Sequence, residues 1–356
     1  MAEIIGLGCT HFPGLLQPDE KLPGGFHHLL TAPNVPAQYK DRAAWPPKLL
    51  AELGNDAGVS AGRHYGARMA DDFRTIRKAL DDFNPDLVLI WGDDQYENFR
   101  EDIIPAFCVF GLDDEFALKP WHNGNGGKPN RWGESGDWTM KLRGARDAAK
   151  HLASALIERG IDMAYAYKPL HVDGLAHAFT NTLLYLDWDR RGLPWPVLPF
   201  AINCYGRNLI HAKGGMAALF VPPRNAHEAE DPPAPQPWRC MDVGHAVAEV
   251  LAASPWRVAL IASSSWSHCF LSPTNGYLWP DHKADRLMFD ALSAGDYEYW
   301  RKRPLPEMER AGQHEMLNWM ALVGAMERLD RKRPVVHDYV ETHIFMSEKC
   351  FVSYPV

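Results

Sequence analysis

Short runs of consecutive apolar residues alternate along the chain with longer stretches whose apolar positions recur every three to four residues. A strand with helices on both sides has no solvent face to leave polar, so the short runs suit buried strands and the longer stretches suit one-sided helices. The strand runs are Ile4 to Gly8, Leu87 to Trp91, Ala106 to Phe110, Met163 to Tyr167, Val197 to Cys204 and Val258 to Ser263. Helices are expected over Gly62 to Asp82, Met140 to Arg159, Leu175 to Trp188, Val243 to Ala253, Lys283 to Ala294 and Pro306 to Arg331. Gly160 stands where a left-handed residue would end the second of these. The alternation predicts an α/β fold: a central, mostly parallel sheet flanked by helices on both faces. Two stretches interrupt it, His122 to Asp137 with its Gly, Asn and Pro, and Pro222 to Trp238 with its Pro and acidic residues. Both are expected as surface loops inserted into one domain spanning residues 1–356.

Composition narrows the classes. The 356 residues suffice for a large core without staples. Lys and Arg number 37 against 45 Asp and Glu, a net charge of −8, which opposes the cationic neutralisation that nucleic-acid binding needs. No apolar run approaches the ~20 residues that cross a bilayer. The six cysteines are scattered without a Cys-x-x-Cys pair, so reduced thiols are expected. The opening residues MAEIIGLGC lack a basic start and a long apolar stretch, which places the protein in the cytoplasm as an expectation. No glycine-rich dinucleotide fingerprint and no phosphate-binding loop occurs, and the serines of Ser263 to Ser265 have no Gly-x-Ser-x-Gly elbow.

Four places remain that can carry chemistry. In an open α/β sheet the crevice outside the carboxyl ends of the strands takes the ligand. The first run ends in Gly8-Cys9-Thr10-His11, which puts His11 there. The second opens into Gly92-Asp93-Asp94-Gln95-Tyr96-Glu97, whose oxygen donors suit a divalent cation and whose aspartates equally suit a helix cap. The last run leads into Ser263-Ser264-Ser265-Trp266-Ser267-His268; an imidazole there can take and return a proton near neutral pH. Finally, Glu315 shares a helical face with Trp319 and Leu322, and an inward carboxylate is costly unless paired or bound to a cation, while His314 is expected to face elsewhere. Together they suggest a facial set of ligands on divalent iron, with His268 beside it as base.

In these four ordered islands the chain resembles the class III extradiol ring-cleavage dioxygenases, the family of the protocatechuate 4,5-dioxygenase catalytic (beta) subunit. The resemblance implies an α/β fold, Fe(2+), a small catecholic or gallate-like aromatic as substrate, and opening of its ring with insertion of both atoms of O2. Carried over residue by residue, it implies His11 and Glu315 as metal ligands and His268 as the base. It also implies that His177, in Gly174-Leu175-Ala176-His177, is a second active-site histidine contacting substrate or oxygen. Where the family shows Asn-Asp-His, this chain has Asp93-Asp94-Gln95, so the second histidine ligand is replaced by Gln95. Asp94 and His64 are the alternatives for that place, and a metal-poor relative that binds an aromatic or a protein partner without oxygenating it is the alternative function. Neither nucleic acid nor membrane is expected as a partner, and a homo-oligomer is left open.

Overall fold

The computed structural model describes residues 2–122, 129–172, 174–222 and 229–356. Its strands in chain order are β1 (Ile4–Cys9), β2 (Leu87–Asp93), β3 (Phe107–Phe110), β4 (Phe116–Leu118), β5 (Met140–Leu142), β6 (Ala164–Ala166), β7 (Val197–Ile202), β8 (Val258–Ser263), β9 (Val335–Val340) and β10 (Lys349–Tyr354). Eight of them form one sheet in the order β6-β3-β7-β2-β8-β1-β10-β9, and β4 pairs with β5 apart from it. The middle strands β7, β2, β8 and β1 are parallel. At the flanks β3 runs antiparallel to β7, and β10 and β9 add antiparallel next to β1.

Six longer helices cover this sheet: α1 (Val59–Phe83), α2 (Arg146–Glu158), α3 (His177–Leu186), α4 (Pro237–Ala252), α5 (His282–Ala294) and α6 (Met316–Arg328). Alternate residues of β2 serve opposite faces, as a pleated strand requires. Leu87, Leu89 and Trp91 join a core with Leu152 of α2, Met241 of α4, Met288 of α5 and Trp319 of α6. Val88 and Ile90 join another with Phe73 of α1 and Phe179 of α3. The α4–α6 crossing is tight because it is built on glycines: a Cβ on Gly244 would lie 1.8 Å from the Ala321 carbonyl oxygen, and one on Gly324 2.1 Å from that of Met241. This contact fixes α6, whose start carries part of the site.

The expected α/β architecture is present, with three differences in detail. The helix expected over Met140 to Arg159 starts only at Arg146; Met140–Leu142 is instead a strand paired with Phe116–Leu118. The helix expected over Pro306 to Arg331 is two helices, Leu305–Ala311 and α6. Gly312 separates them at φ +76°, a left-handed conformation that ends the first helix and redirects the chain. The closing strands β9 and β10 were not anticipated: β9 is a half-exposed edge strand, without the solid apolar run of a strand buried on both faces. Of the two interrupting stretches, residues 123–128 and 223–228 lie outside the described residues, and Pro237 already belongs to α4. Among the described residues, no helix is long and apolar enough to cross a membrane.

Candidate metal centre and active site

Because β1, β8 and β2 are parallel neighbours, with Cys9 level with Ser263 and Trp91 level with Ala262, the segments that leave their carboxyl ends share one mouth. His11 is buried there, and its Nδ1 lies 2.9 Å from the Ser263 carbonyl oxygen. A carbonyl can only accept, so Nδ1 carries a proton and Nε2 faces the mouth. The same device holds His268: its Nδ1 donates to the Trp266 carbonyl at 2.9 Å, and its backbone N–H donates to the Gly312 carbonyl at 2.8 Å. Gly312 is indispensable to this approach, since a Cβ on it would sit 2.3 Å from the His268 carbonyl oxygen.

Glu315 stands just before the first residue of α6 and is fully buried. The helix start favours its negative charge. One carboxylate oxygen, Oε1, accepts from the Tyr205 hydroxyl at 2.5 Å and the Gln95 amide nitrogen at 2.9 Å, and lies 3.3 Å from His268 Nε2. The other, Oε2, has no hydrogen-bond partner and lies 3.3 Å from His11 Nε2. Burial works against its charge, but the imidazoles of His268 and His11 outweigh that and hold its pKa well below the usual carboxylate range. Asp93, the last residue of β2, completes the group. Its Oδ1 is 3.7 Å from His11 Nε2 and accepts from the Asn318 amide at 3.2 Å. Burial, with Glu315 nearby, pushes its carboxyl up to about 7. Burial opposes charge on His11 too, but Glu315 and Asp93 win and raise its pKa.

This arrangement fits a divalent cation. The donor atoms of His11, Asp93 and Glu315 all lie within 4.8 Å of one another. The group combines one imidazole nitrogen and two buried carboxylates, one with an orphaned oxygen, and the ion-pair partners of Glu315 among the described residues are imidazoles alone. Buried carboxylates without a fixed cation are expensive, and a metal ion removes that cost.

His177 opens α3 beside the site. Its ring centroid is 5.1 Å from that of His11, and Glu97 takes both its backbone N–H at 2.9 Å and its Nδ1 at 3.0 Å. Burial disfavours the imidazolium, but Glu97 more than compensates, and the His177 pKa is pushed up to about 9. His268 goes the other way: burial first, with His11 and Lys349, lowers its pKa against the pull of Glu315. The two imidazoles are thus shifted in opposite directions.

A cavity of about 280 Å³ opens onto these groups, walled by Phe12, Phe270, Phe345 and Met346 and reaching Lys21 and Gln17. An apolar cavity of ~150 Å³ accepts benzene, so this one has room for a substituted single ring. The described parts of the two interrupting stretches do not line it; residues 231–235 instead line a separate groove with Arg239.

The structure therefore brings together four of the sequence candidates, His11, His177, His268 and Glu315, with Gln95 among them. Gln95 turns its amide nitrogen onto Glu315, Tyr205 and, at 3.3 Å, Asp93. Asp94 is occupied otherwise: it accepts the backbone N–H groups of Glu97, Asn98 and Phe99 and closes the turn. His64 lies exposed on α1 against Tyr65 and does not reach the mouth. His314, next to Glu315, stacks on Tyr205 and meets the Asn208 amide at 3.0 Å. Tyr205, Glu97 and Asn318 were not singled out. Tyr205 follows β7 just as His11 follows β1, and that shared position was the signal available for it.

No protein-family model matches the chain. It is similar to proteins named 2,3-dihydroxyphenylpropionate/2,3-dihydroxicinnamic acid 1,2-dioxygenase. One from Rhodococcus sp. is 27% identical over 76% of this chain and 85% of its own length. One from Rhodococcus jostii is 26% identical over 73% and 82%. One from Photorhabdus laumondii is 27% identical over 59% of this chain, and that match spans about half of its own length, 51%. These names are not those of a protocatechuate 4,5-dioxygenase subunit, so the narrower likeness drawn from the motifs gives way to a broader one, to dioxygenases of dihydroxylated aromatics.

Proposed function

We propose that the protein is an extradiol dioxygenase that opens the ring of a catecholic aromatic, with divalent iron held by His11, Glu315 and Asp93 and with Gln95 bracing Glu315. The names of its relatives support the reaction class, and one observation carries the reading: a fully buried Glu315 faces His11 with an unpartnered oxygen at the mouth of the parallel strands. Divalent iron bound to such a set would supply open positions for two adjacent ring hydroxyls and for dioxygen.

The chain's own groups divide the remaining work. His268 Nε2, neutral and fixed by the Trp266 carbonyl, accepts the proton of a ring hydroxyl and later returns it. His177, charged through Glu97, offers a proton and a positive charge to oxygens that become anionic. Phe12, Phe270 and Phe345 hold the ring and keep water from it. Tyr205 and Gln95 fix the orientation of Glu315, so that Oε2 rather than Oε1 faces His11.

Protein purified without air, loaded with ferrous iron and supplied with a panel of catechols, some bearing a propionate chain, tests this. Oxygen uptake in proportion to iron content, with a coloured ring-opened product, is the expected result. Iron bound without oxygen uptake on any catechol, or no iron bound at all, overturns it and favours the non-oxygenating aromatic binder.

A further inference from the structure

Two donors of a second group, Glu341 and Glu348, flank in sequence the residues Phe345 to Ser347 that line the cavity. His282, the first residue of α5, meets Glu348 through Nδ1, and with Glu341 these side chains place their donor atoms within 4.8 Å of one another. Glu348 is fully buried and its Oε2 has no hydrogen-bond partner. A carboxylate left so, against an imidazole nitrogen, is costly without a cation. From the structure we infer a second divalent-cation site, of the zinc type, formed by His282 Nδ1, Glu341 and Glu348.

Two further features suit it. Metal-binding imidazoles hand their other ring N–H to an acceptor that fixes tautomer and orientation. Here His282 Nε2 lies 3.2 Å from His343 Nε2, and His343 Nδ1 faces Glu52 at 3.8 Å. Glu52 is itself anchored by the Thr342 hydroxyl and the backbone N–H groups of His343 and Ile344. With Nδ1 on the cation, His282 donates its Nε2–H to His343 Nε2, and His343 Nδ1 lies within ion-pair reach of Glu52. The site is also reachable, since His282 and Glu341 are only partly buried, and Lys48 and Arg286 hold Glu341 in place. The residues Glu341 to Glu348 connect β9 and β10, and Phe345, Met346 and Ser347 among them line the aromatic cavity. A cation here ties that wall to the start of α5, which makes the site structural and distinct from the centre at Glu315.

Zinc binding to the chelator-stripped double variant H11A/E315Q, which lacks two donors of the inner group, tests the inference by equilibrium dialysis. One zinc per chain is expected. Adding His282→Ala should weaken it at least about a hundredfold, and adding His343→Ala by about ten- to a hundredfold, the range for a supporting partner. Should the double variant fold poorly, the count on the otherwise intact chain replaces it: two zinc ions expected, one after His282→Gln. Zinc absent from the folded double variant, an intact chain that binds only one, or binding indifferent to His282 overturns the site.

Discussion

The two donor groups share a composition, imidazole with two carboxylates, yet they handle charge differently. In the inner group Glu315 is fully buried and its ion-pair partners are His11 and His268, groups that can lose their charge. In the outer group Glu341 is partly exposed and paired with the ammonium of Lys48 and the guanidinium of Arg286. The inner group therefore keeps an unmet demand for positive charge next to a cavity, which suits a centre that exchanges ligands. In the outer group Glu341 is balanced and the unmet oxygen belongs to Glu348, which does not line the aromatic cavity, so the group suits a brace.

Substitutions that break the inner group should have the largest effects. Glu315→Gln removes the buried charge, and both iron content and oxygen uptake should fall below detection. His268→Ala should keep iron, measured by metal analysis, while turnover drops about a hundredfold or more, the usual scale for a lost general base. Retained iron with full turnover would rule out His268 as the base. Gly312→Ala forces a left-handed position and a Cβ against the His268 carbonyl oxygen. It should lower stability by about 1–3 kcal/mol in denaturant melts, and an unchanged midpoint would show that the loop relaxes freely.

A subtler test concerns His177. Its pKa, raised to about 9 above the ordinary 6.5, means that the stabilisation from an ionised Glu97 is fully present below about 6.5 and is lost as pH rises through about 9. Turnover should therefore fall on the alkaline side near that value, and His177→Asn should flatten that limb; a variant profile with the same limb assigns it to another group. The smallest effect is expected at the outer group's rim. The Lys48–Glu341 pair is largely solvated, so Lys48→Ala should change stability by under about 1 kcal/mol, and a larger loss would mean that the two groups differ less than their burial indicates.

Much of the fold was legible because burial on both faces leaves a direct mark: the runs at Ile4, Leu87, Val197 and Val258 have no polar alternation to hide them. The ends of those runs also pointed to the mouth where His11 and His268 lie. The helix break at Gly312 was harder to read, since apolar periodicity continues on both sides of it and only the backbone angle marks the turn. The third donor was beyond local reading as well. Asp93, Asp94 and Gln95 are neighbours in sequence, and which of them faces His11 depends on the last pleat of β2 and on the turn that captures Asp94.

By itself, the amino-acid order determined the alternation of strands and helices, the acidic balance and the residue types able to hold a cation, because these follow from local pattern and side-chain chemistry. Tertiary structure alone decided that Tyr205 and Gln95 meet on Glu315, that Glu97 charges His177, and that His282 and Glu348 meet across 66 positions of chain. Hydrogen bonds and ion pairs of this kind join segments that strand order brings together, and distance along the chain carries no record of that order.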